Sequence, residues 1–129
     1  MILASSAVVA LLMREPGHER LLAALAAAPG VGIGAPTLVE TTIVLSARLG
    51  RDARGLTSRF LDEADVTLVP FTDAHFGTAL DAWLRFGRGR HPAGLDFGDC
   101  LSYATARVAG QPLLFTGEDF AKTDLEAAA

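Results

Sequence analysis

The sequence has little of the chemistry on which disulfide-bonded, zinc-binding and nucleic-acid-coating proteins depend. One cysteine excludes an intrachain disulfide, and three histidines leave too few ligands for an ordinary zinc site. The formal net charge of −4 excludes the strong basic excess of a protein that coats nucleic acids. No apolar run is long enough to cross a bilayer, and the apolar N-terminal segment lacks the basic start of a signal peptide. We therefore expect a cytoplasmic protein without a membrane partner.

What the chain does contain is an alternation of short apolar runs and helical patterns. Half of the 129 residues are hydrophobic, which is enough for one folded domain. Strand-like runs begin at Ile2, Val31, Val66 and Leu113, and the segments between them have the spacing of amphipathic helices. This alternation predicts an α/β fold in which a short parallel sheet is covered by helices on both faces. Functional residues of such folds gather beyond the carboxyl ends of the strands.

Several carboxylates stand where burial would be costly without compensation. Glu40 interrupts an apolar helical segment whose stripe supplies no cation. Asp96 and Asp99 open a later helix, and Asp119 follows the last strand. Helix capping or stabilisation of a helix N-terminus explains each aspartate taken alone, and for Asp96 a cap and a direct role in a site weigh equally. Taken together, these hard oxygen ligands favour Mg²⁺ or Mn²⁺ over zinc.

A basic strip lies in the glycine- and arginine-rich segment of residues 87–94, which we expect to be a mobile loop. Arg88 and Arg90 there are candidate contacts to the phosphates of an RNA. The alternative for such a segment taken alone is a solvated loop.

The predicted helix after Thr72 carries Phe76, Leu80 and Trp83 at helical spacing. This pattern is typical of a core or dimer-interface helix rather than a base-stacking platform. Thr72 is placed to cap the helix, and we expect His75 to lie at the surface.

The order of these segments resembles the PIN-domain ribonucleases, and most closely the VapC toxins of bacterial toxin–antitoxin pairs. The resemblance covers essentially the whole chain through residues 1–12, 35–40, 87–106 and 111–120, of which the third block is the most specific. It assigns the catalytic and metal-binding acid positions to Ala4, Glu40, Asp99 and Asp119. It assigns accessory positions to Ser6, Asp96 and Thr116.

This resemblance implies a PIN-like three-layer α/β/α fold over residues 1–129 and a metal-dependent endoribonuclease activity. In such an enzyme Mg²⁺, or Mn²⁺ in its place, activates a water that attacks the RNA backbone. The resemblance also implies a structured RNA substrate, such as a tRNA or rRNA loop, and a VapB-type antitoxin. A homodimer is implied as well, together with a heterotetramer or larger assembly with the antitoxin.

The departure from the family pattern is Ala4, where the family has Asp. A methyl group provides no ligand, so the sequence predicts weak metal binding and a loss of activity of several orders of magnitude. Ala4 is either a natural loss or an inactivating substitution, and the intact remaining blocks favour the second. The sequence therefore leaves two functions open: an endoribonuclease impaired at this position, or a non-catalytic PIN-derived module that binds antitoxin or RNA.

Overall fold

The computed structural model describes residues 1–129 and shows a four-stranded parallel sheet with six helices. The strands are β1 (Ile2–Leu3), β2 (Val31–Gly34), β3 (Val66–Val69) and β4 (Leu113–Leu114). The helices are α1 (Ser5–Leu12), α2 (His18–Ala27), α3 (Ala35–Leu49), α4 (Arg54–Glu63), α5 (Asp73–Phe86) and α6 (Phe97–Ala109). The strand order is β3–β2–β1–β4, and every neighbouring pair is parallel. The predicted α/β fold is confirmed.

The two faces of the sheet build two separate cores. Ile2 and Leu113 are paired in register and pack into a core completed by residues of α5 and α6. Leu3 and Leu114, the next pair along, lie in the opposite core with residues of α1 and α2. Because successive side chains of a strand point to opposite faces, two-residue strands are enough to anchor both layers. The result is the three-layer α/β/α arrangement.

Local signals set the ends of the helices that carry the predicted acids. Gly50 and Gly110 follow α3 and α6 with φ angles of 67° and 64°, the left-handed conformation that ends a helix and that glycine adopts without strain.

None of the helices has both the length and the apolar character needed to cross a bilayer.

His75 lies inside the protein, so the expectation that it is a surface residue is wrong. Only 5% of it is exposed, because its ring completes the cap of α5. The backbone N–H of Thr72 donates to His75 Nδ1 at 3.0 Å, and the ring packs against Phe71. Reciprocal capping of this kind satisfies backbone donors that the first turn of a helix leaves unpaired.

The segment of residues 87–94 forms a turn held by hydrogen bonds, and its mobility stays a prediction. Arg88 N donates to Leu95 O at 3.0 Å, and Leu95 N donates to Phe86 O at 2.9 Å. His91 Nδ1 accepts from the backbone of Ala93 at 3.0 Å. The glycines of this segment therefore lie in a closed, hydrogen-bonded turn.

An exposed apolar face runs across α3, α5 and the start of α6. Phe76, Leu80 and Trp83 are 67%, 48% and 42% exposed, so the core alternative is wrong for these three residues and the interface alternative remains. Val39, Ile43 and Phe97 continue the face. We call the surface formed by these six residues the α3–α5 face. Apolar patches of this kind mark interaction surfaces.

Candidate active site

A pocket of about 320 Å³ opens beyond the carboxyl ends of β1 and β4. Five of the residues that the sequence singles out line this pocket. They are Ala4, Ser6, Glu40, Asp99 and Thr116. Position 4 directly follows β1, Glu40 is on α3, Asp99 is in the first turn of α6 and Thr116 follows β4. The location agrees with the rule that sites of parallel α/β sheets lie at this edge.

Ala4 forms part of the wall and is 2% exposed. Its N–H donates to Leu114 O at 3.0 Å, which fixes position 4 between the ends of two strands. Ser6 Oγ accepts from Thr116 N at 3.1 Å, so this hydroxyl joins α1 to the end of β4. The hydroxyl of Ser6 is therefore hydrogen-bonded to the backbone and not to a carboxylate. The pocket receives only a methyl group from position 4.

Asp96 and Asp99 cap each other at the start of α6. Asp99 N donates to Asp96 Oδ1 at 2.8 Å, and Asp96 N donates to Asp99 Oδ2 at 3.1 Å. Burial raises the pKa of Asp99 to about 7; the hydrogen bond from the Asp96 backbone opposes this rise, and the charges of Asp96 and Asp119 add to it. Capping by Asp96 is thus shown, and Asp96 itself lies exposed outside the pocket wall.

Glu40 lines the same pocket as Asp99 and has no hydrogen-bond or ion-pair partner. Burial raises its pKa above the ordinary value, and the charge of Asp96 raises it further. Glu40 and Asp99, two of the three carboxylates that line the pocket, therefore have raised pKa values. Groups perturbed in this way gather at functional sites.

The expectation that the helical stripe of Glu40 supplies no cation is wrong, because Arg48 lies on it. Arg48 lines the same pocket and lies 3.7 Å from Glu15, which also lines it. Both members of this pair are about half exposed, so the pair adds little stability. The spacing of Glu40, Val44 and Arg48 along one helix was the signal that identifies this cation.

Buried hydroxyl groups fix the two helices that carry the pocket carboxylates. Thr37 Oγ1 and Ser102 Oγ lie 3.2 Å apart, and both residues are almost fully buried between α3 and α6. Thr41 Oγ1 donates to Thr37 O at 2.7 Å. Because buried polar groups need their partners, this contact resists sliding of α3 against α6.

The remaining predicted site residues lie outside the pocket wall. Asp119 is exposed, and its side chain does not cap the short 3₁₀ helix that follows. Its charge nevertheless contributes to the raised pKa of Asp99. Arg88 is exposed and has no side-chain partner. Arg90 is held in place, since its Nε donates to Leu84 O at 3.0 Å and its guanidinium lies 4.9 Å from the centre of the Trp83 ring.

The pocket as this chain builds it does not complete a metal site. The donor type fits Mg²⁺ or Mn²⁺, because carboxylate and hydroxyl oxygens are hard ligands. The donor number does not fit, since no three Asp, Glu, His or Cys side chains are grouped closely enough to hold one ion. The position that the resemblance assigns to a further carboxylate is Ala4.

Comparison with known proteins gives one consistent result. The profile of the PIN domain matches residues 1–126. Ribonuclease VapC36 of Mycobacterium tuberculosis is 48% identical over 127 residues, which cover 98% of this chain and 91% of that protein. Ribonuclease VapC of Mycolicibacterium smegmatis is 42% identical, covering 98% of each chain.

Among solved structures, the M. tuberculosis toxin VapC20, described as cleaving the sarcin–ricin loop, superposes with a TM-score of 0.76. It is 22% identical and covers 96% of this chain and 95% of its own. A toxin–antitoxin complex from Klebsiella pneumoniae gives a TM-score of 0.69 at 17% identity, covering 95% and 92%. These two likenesses show the fold.

The chain belongs to the PIN-domain family, and within it to the VapC ribonucleases of toxin–antitoxin systems.

Proposed function

We propose that this protein is a Mg²⁺-dependent endoribonuclease toxin that is impaired as it stands because position 4 is Ala. The observation that carries this proposal is the pocket in which Ala4 lies with Glu40 and Asp99. Glu40 and Asp99 both have raised pKa values, and neither forms an ion pair with a cationic side chain. An aspartate at position 4 would add a third oxygen donor at a backbone position that the sheet already fixes. Mn²⁺ is expected to replace Mg²⁺ there.

The proposed substrate is a structured RNA such as a tRNA or rRNA loop, and the proposed site of action is the cytoplasm. Arg88 is the free cation proposed to contact phosphate, with Arg90 as a second contact if it leaves Trp83. Asp119 is proposed as a further acid that approaches the pocket when an ion is bound. Ser6 and Thr116 are proposed to hold the wall through their hydrogen bond.

The proposed partner is a VapB-type antitoxin, as the membership in the VapC group suggests. We propose that two toxin chains associate through the α3–α5 face and that antitoxin binding gives a heterotetramer or larger assembly. This face is apolar and is adjacent to the pocket, because Glu40 lies beside Val39 and Phe97.

A second candidate function is a non-catalytic PIN-derived module that binds antitoxin or RNA. Ala4 favours it, since an enzyme that has lost a ligand retains its surfaces. Position 4 therefore separates the two functions.

The test is RNA cleavage by the chain beside its Ala4→Asp and Ala4→Asn variants. Ala4→Asn matches the size of the first substitution but adds no charge. We expect discrete cuts in total cellular RNA with Ala4→Asp alone, in the presence of Mg²⁺ or Mn²⁺, and none after EDTA. If Ala4→Asp is folded and inert with both ions, the nuclease proposal is overturned and the binding module is favoured. Cleavage by all three proteins would contradict the role given to position 4.

A further inference from the structure

Gly98, the second residue of α6, lies directly against the carboxylate of Glu40 on α3. A Cβ atom at position 98 would overlap with Oε2 of Glu40 and would lie 2.7 Å from both Cδ and Oε1. Real Cβ atoms essentially never come within 3.0 Å of another heavy atom. Any side chain at this position would therefore displace the carboxylate or the helix.

The backbone does not by itself require glycine at position 98. Its φ is not in the left-handed region, and alanine is the better helix former. Gly55 provides the comparison, because it is also the second residue of a helix and has open space around its Cα. The contact with Glu40 is thus the structural feature that distinguishes Gly98.

The surrounding contacts direct the displacement onto the Glu40 side chain. The buried Thr37 and Ser102 hydroxyls join α3 to α6, so the two helices do not separate freely. The pocket next to the Glu40 carboxylate is open, so the side chain has space to move. Its movement would change its position relative to Asp99, which is fixed in the capping box.

We propose that Gly98 is a positioning residue that sets where the Glu40 carboxylate lies relative to Asp99. The catalytic part of this inference rests on the proposed nuclease function, whereas the contact itself is testable in the chain as it stands.

The first experiment is a thermal double-mutant cycle with Gly98→Ala, Glu40→Ala and the double variant, and with Gly55→Ala as the matched control. We expect Gly98→Ala to raise Tm less than Gly55→Ala does, because displacement of the flexible Glu40 carboxylate offsets part of the gain from replacing glycine in a helix. In the Glu40→Ala background, Gly98→Ala should raise Tm as much as Gly55→Ala does, because the overlapping carboxylate is gone. Equal changes of Tm in both backgrounds would overturn the proposal.

The second experiment measures RNA cleavage in the Ala4→Asp background. Gly98→Ala should lower kcat about 100-fold with KM little changed, since a displacement of about 1 Å at a reacting centre has that effect. The shorter side chain of Glu40→Asp leaves room for a methyl group, so Gly98→Ala should cost at least 10-fold less in that background. Gly55→Ala should leave cleavage unchanged.

The two experiments separate the failure of this proposal from the failure of the proposed function. A non-additive thermal cycle together with inert proteins in the Ala4→Asp background would retain the contact and reject the nuclease. Active Ala4→Asp protein that is insensitive to Gly98→Ala would reject the positioning role and retain the nuclease.

Discussion

Asp96 and Asp99 exchange backbone-to-carboxylate hydrogen bonds, so the carboxylate of Asp99 both caps α6 and lines the pocket. The cap fixes Asp99 in the pocket that Glu40 also lines, where burial disfavours the charge of Asp99. An arrangement that kept the carboxylate in solvent would relieve this cost. The first turn of α6 therefore holds an acid in an unfavourable environment, which is common where a structure is built to bind a charged partner.

The first prediction concerns the pH dependence of stability. The pKa of Asp99 rises from 3.8 to about 7 on folding, so folding favours its protonated form. Its contribution is fully present below pH 3.8 and is lost as the pH rises to about 7. Asp99→Asn keeps a carbonyl acceptor for the cap and does not ionise. We expect its free energy of unfolding to fall less than that of the unsubstituted chain between pH 5 and 8, by about 1–2 kcal/mol after solvent screening.

Urea unfolding at pH 5 and pH 8 measures this difference, with Asp81→Asn on the exposed side of α5 as the control. Glu40 also has a raised pKa but is present in all three proteins, so it does not account for the difference. Parallel pH profiles of the unsubstituted chain and Asp99→Asn would show that the pocket does not disfavour this charge.

The sequence predicted the sheet and the helices well, because apolar runs and helix-ending glycines are local signals. The run at Val66 extends to Phe71 in the sequence, yet β3 ends at Val69. What the sequence did not predict depends on packing between distant segments. The burial of His75 follows from a cap, and the Arg48–Glu15 pair joins α3 to the loop after α1.

The predicted grouping of acids also matches the pocket where local sequence signals decide the position of a residue, and differs from it where packing of distant segments decides it. Glu40 and Asp99 were identified by their places within and at the start of apolar helical segments, and both line the pocket. Asp119 follows the last strand in the sequence but remains exposed. Its distance from the pocket depends on the path of the residues after Thr116, for which no periodic pattern exists.

The second prediction concerns the stability of Ala4→Asp. Position 4 is almost fully buried beside two acids, so a third carboxylate should lower the free energy of unfolding by about 2 kcal/mol or more when divalent ions are absent. If Mn²⁺ binds the folded form, a concentration of 100 times its Kd restores about 2.7 kcal/mol. Thermal unfolding with Mn²⁺ and with EDTA measures both effects, and Ala4→Asn should respond to neither condition. An equal Mn²⁺ response of Ala4→Asp and the unsubstituted chain would contradict the metal site.

The third prediction concerns the salt dependence of RNA binding. Arg88 is exposed without a partner, so a phosphate contact by it needs no other interaction to be broken. Arg88→Gln should reduce the slope of log K against log salt by about 0.7, the value for one contact to single-stranded RNA. Binding of a labelled single-stranded RNA between 50 and 200 mM salt, with EDTA present to suppress metal-dependent cleavage, measures the slope. Arg59→Gln, exposed on α4, is the control, and equal slopes for both variants would exclude Arg88 as a specific contact.

The last prediction concerns association through the α3–α5 face. Phe97 is 79% exposed at the centre of this face, where it contributes to the grooves on both sides. If two chains bury it, Phe97→Ser should raise the dimer dissociation constant at least about 10-fold, because a buried aromatic side chain contributes more than the 1.4 kcal/mol to which that factor corresponds.

Sedimentation velocity over a range of concentrations measures this effect, with Leu22→Ser as the control. Leu22 is 54% exposed on α2, outside the face, so its loss should leave the dissociation constant unchanged. Because Glu40 borders the same groove as Phe97, a dimer formed here would place the two pockets near the interface. Dissociation by Phe97→Ser should therefore also weaken binding of an RNA that spans both pockets. A chain that is monomeric at all concentrations would exclude this face as a dimer interface.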